Sequence, residues 1–92
     1  MLEGMKEKLR CVLEEYGVVR AGIFGSHVRG EQSENSDVDV LVELDEGFDL
    51  IEFIKIKNLL EEAVEMKVDL VEYENIRDEL RESILKEEVR II

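Results

Sequence analysis

The chain has no proline, a single cysteine in 92 residues, and 12 lysines and arginines against 24 aspartates and glutamates. Each scarcity removes a class of protein. One thiol, Cys11, leaves no partner for an internal disulfide and cannot build a cysteine-rich zinc site. It lies among the apolar positions of a helical pattern, which predicts a buried thiol rather than a nucleophile. The net charge of −12 comes with no basic stripe. That argues against nucleic acid, whose phosphates call for clustered cations, and against an anionic membrane surface. A basic protein partner or a cationic small molecule suits such a charge better. No apolar run approaches membrane-spanning length, and the charged first ten residues do not resemble a signal peptide. A cytoplasmic protein is the expectation.

What is present is patterned. Hydrophobic residues make up 45% of the chain, and their periodicity argues against disorder despite 39% charge. The length predicts one domain over residues 1–92. Leu2, Met5, Leu9, Val12, Leu13 and Tyr16 mark one face of a first helix, with Gly17 as its stop. Val18 to Phe24 reads as a strand, Ser26 to Gly30 as a short helix, and Glu31 to Ser36 as polar loop. Val38, Val40 and Val42 alternate with Asp37, Asp39 and Leu41 on a second strand. Asp49 and Glu52 form the capping box of a helix running to about Val64. Met66 to Tyr73 is a third strand, and Asn75 caps a last helix along Ile76, Leu80 and Ile84, with Leu85 beside them. The order predicts an α/β or α+β domain: a small three-stranded sheet, open to a short extra strand, with about four helices. The terminal Val89-Arg90-Ile91-Ile92 is apolar and is expected to fold back on the core or to dock on a partner.

The informative stretch is Gly25 to Asp39. A Gly-Ser pair ends one strand, ten residues pass, and Asp37-Val38-Asp39 opens the next. Glycine lets backbone approach a ligand, and a helix beginning beside it aims N–H groups at a phosphate. Ser26 adds a hydroxyl, although a Gly-Ser turn with a serine cap has the same appearance. Alternation sets Asp37 and Asp39 on one strand face, where two carboxylates can share a hard cation. Asp69 interrupts the apolar run Val68 to Val71, an expensive place for a carboxylate unless it is paired or metal-bound. If the third strand lies beside the second, all three acids meet. Like charges about 4 Å apart repel by about 4 kcal/mol per pair at an effective dielectric of 20, which a divalent ion would offset. Two-metal nucleotidyl transfer uses such carboxylates to hold ions about 3.5–4 Å apart. Arg29 could reach a triphosphate from the short helix. His27 reads as solvent-facing or gating, and Glu43 as surface.

Gly25-Ser26, the Asp37-x-Asp39 pair ten residues on and the later Asp69 resemble the nucleotidyltransferase superfamily, which includes DNA polymerase beta and kanamycin nucleotidyltransferase. With Arg29-Gly30 after the Gly-Ser pair and Ser36 before the Asp-x-Asp, the chain is similar to the minimal nucleotidyltransferases over about residues 5–90. That resemblance implies a mixed sheet, ATP as substrate and two Mg²⁺ ions. Gly25, Ser26 and Arg29 would bind the nucleotide; Asp37, Asp39 and Asp69 would bind metal and serve catalysis. It further implies a HEPN-domain toxin as partner. AMP would pass to a hydroxyl of that toxin, tyrosine being favoured, and the chain would act as its antitoxin. Two alternatives stay open: an antitoxin that neutralises by binding alone, and a small-molecule enzyme of the aminoglycoside-modifying type, for which a homodimer could complete the cleft.

Overall fold

The computed structural model describes residues 2–33 and 35–92; Glu34, within the expected polar loop, lies outside them. Apolar spacing makes α1 (Leu2–Glu15) a helix that buries Leu9 and Leu13 completely. Cys11 is exposed, contrary to the expectation of a buried thiol. It lies two residues from both Leu9 and Leu13, about 200° around a helix from each. The chain continues through β1 (Arg20–Phe24), the one-turn α2 (Ser26–Arg29), β2 (Val38–Glu43), α3 (Leu50–Val64) and β3 (Val68–Glu72). A 3₁₀ turn at Tyr73–Asn75 precedes α4 (Asp78–Glu87) and β4 (Val89–Arg90). Among the described residues, no helix is long and apolar enough to cross a membrane.

The sheet is mixed, with strand order β3-β2-β1-β4. β1 pairs antiparallel with β2 and β4, whereas β2 and β3 run parallel. A parallel pair needs a crossover, and α3 supplies it. The Asp49 side chain caps that helix by accepting from the Glu52 N–H at 2.9 Å. Ile56, Leu60 and Val64 of α3 and Leu9 and Leu13 of α1 share one core with Val38, Val40, Val42, Val68 and Leu70. Burying each such side chain contributes about 1.5–3 kcal/mol. Leu41 points to the other face, into a smaller cluster with Tyr73 and Ile76, edged by Phe24, Val71 and Ile84.

The fourth strand resolves the ambiguity of the C-terminal tail. Val89 and Arg90 pair with Ile23 and Gly22, and Ile91 enters the main core. The segment therefore folds back on its own domain. The last helix begins later than expected. Asn75 sits in the 3₁₀ turn, and its side chain bonds to Glu72 at 3.3 Å rather than capping α4. Ile76 is buried ahead of the helix, while Leu80 is 46% exposed.

α3 ends on Glu65 at φ 56° and ψ 37°, left-handed backbone that costs a residue bearing a Cβ about 1 kcal/mol. Glu65→Gly should therefore stabilise the fold by about 0.5–1 kcal/mol, read as a higher urea midpoint with an unchanged slope.

Candidate active site

The site grows from the end of β1. Gly25, following Phe24, adopts φ 85° and ψ −158°, a combination open to glycine alone. A Cβ there would collide with the Asp39 carboxylate, so the residue type is dictated by contact as well as by conformation. The Gly25 carbonyl accepts from the N–H groups of Val28 and Arg29 at 3.1 and 3.2 Å, which closes α2 directly behind the turn. Backbone and acid are thus in contact where β1 ends and β2 begins, Phe24 opposite Asp39.

Parallel pairing then sets Asp69 of β3 opposite Asp39. Of the three acids expected to meet, Asp39 and Asp69 share a register level, whereas the premise that Asp69 is buried does not hold. β3 is an edge strand, and Asp69 is exposed rather than buried in an apolar run. Asp37, also exposed, sits one residue before β2 instead of within it. Asp39 is the half-buried member. Burial first, then the charges of Asp69 and Asp37, push its carboxyl up from 3.8 to about 6, while His27 and Arg29 pull the other way. Among the described residues, no three acidic, histidine or cysteine side chains are closed tightly enough to grip an ion as they stand. The donors are nonetheless of the right chemistry for a hard cation: carboxylate oxygens from two adjacent strands and the turn before one of them.

Arg29 and His27 flank this group. The guanidinium is held at 2.7 Å by Glu31 through Nε and at 2.7 Å by Glu87 through Nη1. Its pKa is raised further, chiefly by the Glu31 hydrogen bond, with the Glu87 charge adding to it. His27 is half-buried, and its Nε2 is screened from solvent with no hydrogen-bond partner among the described residues, which corrects the solvent-facing expectation. Glu43, read as surface, is exposed and pairs with Arg20 at 3.1 Å.

Sequence reasoning missed Glu87. At the end of α4 its Oε1 accepts from the Gly25 N–H at 2.8 Å and from Arg29. Nothing in local spacing marks it, since its partner lies 62 residues away and α4 holds other acids.

Residues 5–92 match the nucleotidyltransferase domain family. The protein adenylyltransferase MntA of Thermococcus cleftensis is 38% identical over 91 residues, covering 99% of this chain and 89% of that protein. A solved structure described as a candidate minimal nucleotidyltransferase superposes with a TM-score of 0.82 at 35% identity, over 96% of this chain and 90% of the other. A chain of the Shewanella oneidensis complex between a tri-AMPylated HEPN toxin and MNT antitoxin shares the fold. Its TM-score is 0.76 at 19% identity, covering all of this chain and 72% of that one.

Two outcomes test this geometry. Because the Asp39 carboxyl is raised, its contribution to stability is full below about pH 4 and lost as pH rises through 6. Asp39→Asn should therefore be more stable than wild type at pH 7.5 in chelator, by about 1 kcal/mol after solvent screening, with no difference at pH 4, as read by urea unfolding. Gly25→Ala should lose about 2 kcal/mol or more in the same assay, because it adds both backbone strain and a collision with Asp39.

Proposed function

The chain belongs to the nucleotidyltransferase domain family and is a nucleotidyltransferase; we propose that it transfers AMP from ATP to a hydroxyl of a HEPN-domain toxin and thereby acts as its antitoxin. The observation that carries this reading is the pairing of Asp39 with Asp69 at one level of adjacent parallel strands, with the Gly25 turn packed against Asp39. Donors for a triphosphate and carboxylates for its cation then lie side by side. The relative named a protein adenylyltransferase and the neighbour from a complex with a tri-AMPylated HEPN toxin support the same acceptor class.

In this reading Asp37, Asp39 and Asp69 hold Mg²⁺, and residues 1–92 work as one catalytic domain. The bound ions would lower the pKa of the acceptor hydroxyl and neutralise charge on the leaving pyrophosphate. The Gly25 N–H, Ser26 and Arg29 orient the triphosphate so that its α-phosphorus faces the acceptor. The acceptor oxygen bonds to that phosphorus and gives up its proton to solvent, the bond between the α-phosphorus and the α,β-bridging oxygen breaks, and pyrophosphate departs with that oxygen. A tyrosine is the favoured acceptor, presented on the partner's own surface.

Incubating the chain with Mg²⁺, a HEPN-domain protein and ATP labelled at the α-phosphate tests the proposal. Wild type should label the HEPN protein, whereas Asp39→Asn and Asp69→Asn should lose at least about 100-fold in rate, the scale of removing direct transition-state charge stabilisation. Equal labelling by both variants would reject the carboxylate assignment. A stable complex with no label from wild type would leave neutralisation by binding alone.

A further inference from the structure

The backbone donor and the guanidinium that the proposed function gives to the triphosphate are already occupied by an acid of the same chain. Glu87 Oε1 accepts from the Gly25 N–H at 2.8 Å and from Arg29 Nη1 at 2.7 Å. A carboxylate receiving one main-chain N–H and one guanidinium N–H presents the same chemistry as a phosphate oxygen. The Glu87 side chain is only 23% exposed, which shelters its bond from Gly25, while the Arg29 side chain is 47% exposed. Glu87 is also braced from the next residue. Glu88 accepts from the Tyr73 hydroxyl and lies over Gly22, where a Cβ would collide with it. The following two residues form β4 and pair with Gly22 and Ile23 on the strand that leads into Gly25.

We propose that Glu87 is an internal stand-in for the triphosphate: it fills the nucleotide's donors in the empty enzyme and must be displaced when ATP binds. The inference rests on the nucleotide-binding reading of Gly25 and Arg29. Two consequences follow from the geometry. ATP binds against the loss of two charge-assisted hydrogen bonds and against repulsion from the acid, so the resting affinity is held down. Displacement also frees the end of α4, which joins directly to β4, so nucleotide occupancy is mechanically linked to how firmly the C-terminal strand is docked.

Calorimetric titration of ATP with Mg²⁺ into wild type, Glu87→Gln and Glu79→Gln tests the affinity. Glu79 is an exposed acid elsewhere on α4 and controls for the change in net charge. Glu87→Gln should bind ATP about tenfold more tightly than wild type, the scale of one charge-assisted hydrogen bond, with Glu79→Gln unchanged. Equal or weaker binding by Glu87→Gln, with ATP still bound by wild type, would overturn the stand-in while leaving the nucleotide site intact. Absence of ATP binding in every variant would overturn both. Amide exchange on wild type keeps the test independent of how the variant folds. Saturating ATP should speed exchange across residues 84–90, and unchanged or slower exchange there would reject displacement.

Discussion

The parallel pairing of β2 with β3 is the constraint from which the other features follow. It alone brings Asp69 level with Asp39, two like charges that a chain of net charge −12 would otherwise keep apart. Parallel strands cannot be joined by a tight turn, so the chain must cross the sheet, and α3 makes the crossing while covering the valine stripe of β2. The apolar core thus provides the free energy that holds the acids in place. Val38, Val40 and Val42 are fully buried on one side of the strand that presents Asp39 on the other. Alternation along a single strand couples the two: a one-residue slip would bury the acid and expose the valines.

Much of the site could be read from the sequence because its chemistry is local. The Gly25-Ser26 turn, the two-residue spacing of Asp37 and Asp39, and the single acid inside Val68 to Val71 are each visible within a few residues. What escaped depended on contacts between distant segments. Strand direction is not written in alternation, and neither is position in the sheet. Asp69 reads as costly because the apolar run around it suggests a strand buried on both faces, whereas the face that carries Asp69 is open to solvent on an edge strand. The short extra strand that the fold expectation allowed is β4, two residues long, whose place beside β1 no periodicity could announce. Asn75 has the chemistry of a cap, but the burial of Tyr73 and Ile76 winds the chain into a 3₁₀ turn first and moves the helix start beyond it. Cys11 shows the opposite failure: residue type suggested burial, and helical phase decided against it.

The proposed nucleotide side of the site is made from very little: one glycine in a conformation closed to other residues, a four-residue helix and an arginine shared between two acids. Such a site gains its definition from what is packed against it. Gly25 touches Asp39 in front and Glu87 behind, so the backbone turn is held between an acid of the sheet and an acid of the last helix. Residues from opposite halves of the chain thereby complete a feature that each lacks alone.

The outermost placement of β3 has a bearing on solubility. An open strand invites the corresponding strand of another molecule, and continued pairing of that kind leads to fibres. β3 is five residues long, and its second residue is Asp69, an exposed carboxyl flanked by the buried Val68 and Leu70. A second copy laid along this edge would set its own acids among them, in a dielectric lowered by the approach. The Asp69 carboxyl, proposed above as a cation ligand, therefore also works against edge-to-edge pairing of the sheet, and Asp69→Asn would weaken that protection.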